Sequence, residues 1–117
     1  MLADFIDTIR DGDMIAPRRL AERLRVPMTG LARLAHVNRN TLSAKAGSPL
    51  VQARLGEIAR IIAKAAELSG DEGRAIVWFR HQPLPGFGGR TAEQLVGEGH
   101  AEAVMWYLES ADAGVYD

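Results

Sequence analysis

Apolar residues recur along the chain at helical spacing, three and four positions apart. At the start, Leu2, Phe5, Ile6 and Ile9 form one such stripe. No run alternates apolar and polar residues in the way of a half-buried strand. Because a period near 3.6 residues places side chains on one face of a helix, the pattern predicts an all-α fold of seven or eight helices.

Proline and glycine mark the ends of these stripes. The Asp-Gly-Asp run at residues 11–13 breaks the first helix, and Pro17 suits the first turn of a second, predicted over residues 17–25. Pro49 begins the longest helix, predicted over residues 50–68. Its apolar face is broad, which indicates contacts on two sides or with a second copy of the chain.

Four residues in the long helix extend its stripe or interrupt it. Leu50, Ile61 and Leu68 widen the apolar face. Gly56 lowers helix propensity by about 1 kcal/mol relative to alanine. It is explained either by the close approach of another helix or by simple tolerance.

Residues 28–46 predict two short helices joined by a tight turn. Thr29 can cap the first helix and Asn38 the second. His36 stands in the turn, where a positive φ is expected at some strain. This is the pattern of a helix-turn-helix. Residues 31–43, LARLAHVNRNTLS, resemble the Xre/Cro-like repressor pattern L-A-x-x-x-G-V-S-R-x-T-L-S, with His36 in place of glycine and Asn38 in place of serine.

If this motif binds DNA, its second helix enters the major groove. Bases and phosphates would then be contacted by Arg33, Arg39, Asn40, Ser43 and Lys45. A helical hairpin that keeps the shape without binding DNA fits the same residues, and the sequence leaves both interpretations open.

The net charge of −1 hides an asymmetry between the two halves of the chain. Residues 1–60 hold ten Lys/Arg and six acidic residues, a balance of +4. Residues 61–117 hold four and nine, a balance of −5. A basic half attracts phosphate and an acidic half repels it, so two different partners are worth considering beside the simpler explanation of solvated helix faces.

The last third of the chain combines a Pro/Gly loop at residues 81–90 with two capped helices. Pro83, Leu84 and Phe87 are expected to pin the loop to the core. The loop follows a helix and lacks the Lys-Ser/Thr of a phosphate-binding P-loop, which disfavours nucleotide binding. Before the loop, Asp71 can cap a helix predicted over residues 71–81. After it, Thr91 and Gln94 predict a capping box. Two tryptophans, Trp78 and Trp106, are expected in the core.

Residues 78–117 resemble the toxin-binding domain of Xre/MbcA/ParS-type antitoxins. That family has a Trp-containing helix, a Pro-rich loop and a C-terminal Gly-apolar-aromatic tail, and Ala92 stands where it usually has proline. The residues that carry the resemblance are Trp78, Pro83, Leu84, Gly89, Thr91, Leu95, Gly99, Val104, Leu108, Gly114, Val115 and Tyr116.

The resemblance implies an Xre-like helix-turn-helix bundle, residues 1–70, followed by a small helical toxin-binding module, residues 71–117. It implies a homodimeric type II antitoxin that occludes the active site of an NAD⁺-depleting RES-domain toxin and can repress its own operon by binding operator DNA. The toxin would be contacted by Arg90, Gly114, Val115, Tyr116 and Asp117. The alternatives are an Xre-type transcriptional regulator without a toxin and an orphaned interaction module.

Little in the sequence indicates an enzyme, a cofactor or a metal. The three histidines are scattered and cysteine is absent, so neither a metal site nor a disulfide is expected. No apolar run reaches the length of a membrane span and no signal peptide is evident. The expected location is the cytoplasm.

Overall fold

In the computed structural model, residues 2–112 are described, with side-chain burial from Asp4 onward. Eight helices lie in this range, which confirms the all-α prediction, and their bounds agree with the predicted ones to within two residues wherever bounds were predicted. They are α1 Leu2–Ile9, α2 Pro17–Leu24, α3 Met28–Ala35, α4 Arg39–Ala44, α5 Pro49–Ser69, α6 Glu72–His81, α7 Ala92–Gly97 and α8 Ala101–Asp112.

A small antiparallel hairpin between α1 and α2 was not predicted. Its two-residue strands are β1 Arg10–Asp11 and β2 Met14–Ile15. The side chain of Gln52 in α5 holds the hairpin: Oε1 accepts from the amide of Ile15 at 2.8 Å and Nε2 donates to its carbonyl at 3.0 Å. Each strand has only two residues, which is too few for an alternation of apolar and polar residues to mark it in the sequence.

Helix α5 is the centre of the fold and packs against α1, α6 and α8. Its stripe is buried as predicted, from Val51 to Ala65. Of the residues that widen the stripe, Ile61 is buried, whereas Leu50 and Leu68 are 54% and 40% exposed. Both lie at the ends of α5, beyond the part of its face that neighbouring helices cover.

The N-terminal helices and the C-terminal helices share one core. Helix α3 packs against α7. Helix α6 is tied to α2 by an ion pair of 2.6 Å between Arg23 and Glu72, and Arg80 Nη1 donates to the carbonyl oxygen of Arg25 at 2.9 Å. The division of the chain at residues 70 and 71 stays a prediction.

Three predicted helix caps are confirmed and one is wrong. Asn38 accepts from the amide of Asn40 at 2.7 Å, and Asp71 accepts from that of Arg74 at 3.0 Å. Thr91 forms the capping box with Gln94. Thr29 caps nothing, because Pro27 occupies the N-cap of α3 and leads directly from an extended backbone into the helix.

Candidate functional site

Helices α3 and α4 form a compact pair joined by residues 36–38. Ala32 and Ala35 are buried on α3, and Leu42 of α4 is buried against them. His36 has a φ of 55°, the left-handed conformation predicted for the turn. Its ring nitrogen Nε2 lies 3.2 Å from the carbonyl oxygen of Val96 in α7, so the turn is fixed to the C-terminal helices.

The five side chains predicted to contact DNA are all exposed. Arg39, Asn40 and Ser43 lie on α4, Lys45 is the C-cap of that helix, and Arg33 lies on α3. The fold therefore leaves this set open to a partner. That the partner is DNA stays a prediction.

The Pro/Gly loop after α6 folds onto the core through one leucine. Leu84 is 2% exposed, and its amide donates to the carbonyl of Arg90 at 2.9 Å. Phe87 is half-buried against the core. Pro83 is exposed, which corrects the prediction that its side chain pins the loop. It contributes instead through a backbone bridge opposite Thr91.

Arg90, a predicted toxin contact, is half-buried and paired within the fold. Nε donates to the carbonyl of Phe87 at 2.9 Å, and Nη1 lies 2.5 Å from a carboxylate oxygen of Glu98. These bonds hold the end of the loop near the end of α7. The contact of Arg90 with a toxin stays a prediction.

The other predicted toxin contacts, Gly114, Val115, Tyr116 and Asp117, lie outside the described residues. The helix that leads to them is fixed at its end, since Lys64 Nζ lies 2.7 Å from a carboxylate oxygen of Asp112. The hydrogen bond to Asp112 raises the pKa of Lys64, and the negative charges of Asp112 and Glu67 add to the effect against partial desolvation.

The two tryptophans occupy different environments. Trp78 is half-buried and packs against the core, in partial agreement with the prediction. Trp106 is 55% exposed, so the expectation that it belongs to the core is wrong. The reason is helical phase: Val104 and Leu108 face inward, and a residue midway between them is turned by about 200° from either.

Sequence reasoning missed a second exposed apolar residue in this region. Val77 of α6 is 53% exposed, whereas Ala75, Ile76 and Phe79 around it are buried. Helical phase could have predicted this exposure, because Val77 is out of phase with the buried stripe of α6. The phase is hard to see in the sequence, because Val77 lies inside an almost wholly apolar run.

Within residues 2–112, no helix is long and apolar enough to cross a membrane. In the same part of the chain, no group of three or more His, Cys, Asp or Glu side chains is placed to hold a metal ion.

Residues 64–114 match the family model of the antitoxin Xre/MbcA/ParS C-terminal toxin-binding domain. The match confirms the predicted resemblance over these residues and supports the role of an antitoxin with a toxin as its partner. No curated protein and no solved structure matches the chain.

Proposed function

We propose that this protein is the antitoxin of a type II toxin–antitoxin system and neutralises a RES-domain, NAD⁺-depleting toxin by covering its active site. The observation that carries the proposal is the match of residues 64–114 to a toxin-binding domain. The RES-type partner comes from the resemblance of residues 78–117 to antitoxins that pair with such toxins.

The composition of residues 114–117 supports a plugging mechanism. These residues combine a glycine, an apolar residue, an aromatic ring and an aspartate. A cleft that accepts the diphosphate of NAD⁺ is expected to be basic. An acidic tail with an aromatic anchor would compete with NAD⁺ there, and the ion pair between Lys64 and Asp112 would fix the point from which the tail starts.

Deletion of residues 113–117 tests this mechanism. The truncated and full-length chains are each produced with a RES-domain toxin identified in a neighbouring reading frame, and growth and cellular NAD⁺ are measured. We expect the truncated chain to lose protection, with thermal unfolding and any DNA binding unchanged, because the core of the described residues runs from Phe5 to Leu108. A truncated chain that still protects cells would contradict the plug.

A second function, repression of its own operon, is supported by the exposed α4 residues and by the basic balance of residues 1–60. In this arrangement residues 1–70 would bind operator DNA as part of a cytoplasmic homodimer, and residues 71–117 would bind the toxin. A regulator of the Xre type without a toxin is the alternative. It would show operator binding and no association with a RES-domain protein.

A further inference from the structure

Four large hydrophobic side chains in the described burial range are exposed, and three of them belong to the toxin-binding domain. These three are Leu68, Val77 and Trp106. Trp106 lies on the outer face of α8. Leu68 and Val77 lie on either side of Trp78. We call Leu68, Val77 and Trp78 together the Trp78 patch.

Trp78 forms a wall shared by two shallow concavities. One lies between α5, α6 and α8 and is lined by Leu68, Leu108 and Ala111. The other lies on the outer face of α6 and is lined by Val77, Arg25 and Arg74. Trp78 therefore borders an apolar side chain in each concavity, Leu68 at the end of α5 and Val77 on the outer face of α6.

Exposed hydrophobic residues that stand singly are ordinary in proteins, but contiguous ones with a polar rim mark interaction surfaces. Leu68 sits in the last turn of α5 and Val77 on the outer face of α6, where neither fills the core. Their size is thus unexplained by the packing of the residues that the structure describes.

We propose that the Trp78 patch is a second contact surface for the toxin, separate from the tail and outside the toxin's active-site cleft. The inference rests on the proposed function. It commits to the toxin because the patch lies within the matched toxin-binding domain and because Ala111, which borders it, is only two residues before the tail begins. A toxin that holds the tail would lie over this surface.

The rim of the patch defines the chemistry of the toxin segment that binds there. Arg74 is 76% exposed, and Arg25 borders the same concavity. One carboxylate, Asp71, lies 3.5 Å from Arg74 and offsets one of the two positive charges. A complementary segment would insert an apolar side chain beside Trp78 and present a carboxylate to the arginines.

The test is the double variant Leu68→Glu with Val77→Glu, with Leu50→Glu as the matched control. Leu50 is 54% exposed at the other end of α5 from Leu68 and lies outside the matched domain. The probe is the same RES-domain toxin as in the truncation experiment, and its affinity is measured by calorimetry. We expect at least a tenfold weaker complex for the double variant and no change for Leu50→Glu. If the double variant does not unfold cooperatively, Val77→Glu alone is used.

Several results would overturn the inference. These are wild-type affinity in the double variant, or equal weakening by Leu50→Glu. A change from dimer to monomer in the isolated double variant would show that a second copy covers the patch. In a Trp106→Phe background, greater acrylamide quenching of Trp78 on deletion of residues 113–117 would show that the tail covers it. A wild-type chain that binds no RES-domain protein would contradict the proposed function itself, and this inference with it.

Discussion

The ring of His36 is hydrogen-bonded to the carbonyl oxygen of Val96, with 3.2 Å between Nε2 and that oxygen. The same ring lies beside Gly99, since a Cβ placed there would be 3.9 Å from it. The turn between α3 and α4 is thereby joined to the C-terminal end of α7. A residue in a strained backbone conformation thus contributes a contact that glycine could not make.

This relationship predicts different outcomes for two truncations of His36. Both His36→Gly and His36→Ala remove the hydrogen bond, at a cost of about 0.5–1.5 kcal/mol. Only alanine keeps the strain of a positive φ. We therefore expect the His36→Ala variant to be less stable than the His36→Gly variant by about 1 kcal/mol. Urea unfolding measures both. Equal stability of the two variants would show that the backbone at residue 36 relaxes.

Arg80 makes a second junction between the N-terminal and C-terminal helices. Nη1 donates to the carbonyl of Arg25, and Nε is buried 3.4 Å from a carboxylate oxygen of Glu93. We expect Arg80→Met to cost about 1–2 kcal/mol of unfolding free energy, because Glu93 loses its cationic neighbour and the carbonyl its donor.

Arg74→Met is the control for this variant. The side chain of Arg74 is 76% exposed, and its ion pair with Asp71 lies on the surface. The free energy of unfolding should therefore change by no more than about 0.5 kcal/mol. Comparable losses for the two variants, measured by thermal unfolding, would show that the contacts of Arg80 add nothing to stability.

The interior glycine of α5 is explained by tolerance and not by a neighbouring helix. A Cβ on Gly56 would meet only the guanidinium of Arg60, at 3.2 Å, and Arg60 is exposed and can move. We expect Gly56→Ala to raise stability by about 0.5–1 kcal/mol and Tm by a few degrees.

Gly70→Ala provides the opposite control for Gly56→Ala. Gly70 has a φ of 90°, which alanine adopts only at a cost of about 1 kcal/mol. A loss of stability in Gly56→Ala would mean that Arg60 cannot shift aside.

The elements and caps that the sequence predicted correctly depend on neighbouring residues along the chain. Asn38, Asp71 and Thr91 cap their helices through amides two or three positions away, and the stripe of α5 follows from period alone. The positive φ of His36 was predictable for the same reason. Its bond to Val96 was not, because the two residues are sixty positions apart and only the packing of α3 on α7 brings them together.

For the candidate site, the sequence does not predict which apolar side chains remain exposed to solvent. Trp106 was expected in the core and is exposed, and Leu68 widens the stripe of α5 yet is 40% exposed. Hydrophobicity alone does not reveal whether a neighbouring helix reaches a residue. The ends of α5 and the outer face of α8 are set by the lengths of the surrounding helices. The hairpin is a similar case, since its strands depend on Gln52 from a distant helix.

The ion pair between Lys64 and Asp112 predicts a pH dependence of stability. Pairing raises the pKa of Lys64 above its ordinary value of 10.5. A raised folded-state pKa gives a contribution that is full below the unfolded value and is lost as the pH rises through the folded one. We expect Asp112→Asn to lower stability by roughly 0.5 kcal/mol at neutral pH, as is usual for surface pairs.

Lys64 is charged from about pH 7 to 9, so the difference in stability between the parent protein and Asp112→Asn should be constant over that range. The difference should shrink above about pH 10.5. Thermal unfolding of both proteins over this range measures it. A difference that stays unchanged at the highest pH would mean that Asp112 stabilises α8 without the charge of Lys64.

The exposed cations of α4 predict a salt-dependent interaction with operator DNA. We expect Arg39→Ala with Lys45→Ala to weaken binding to a duplex from the operon's own promoter, measured by fluorescence anisotropy. Each phosphate contact contributes about 0.9 to the slope of log affinity against log salt concentration. Loss of both cations should therefore reduce the slope by up to about 2.

The matched control for the α4 variant removes the same charge elsewhere. Arg60 and Arg74 are exposed on α5 and α6, and Arg60→Ala with Arg74→Ala should leave the slope nearly unchanged, because contact with phosphate and not net charge sets it. Equal effects of the two double variants would indicate attraction by the whole chain without a defined contact surface. Absence of binding by the parent protein would favour an antitoxin that neutralises its toxin and leaves its operon unregulated.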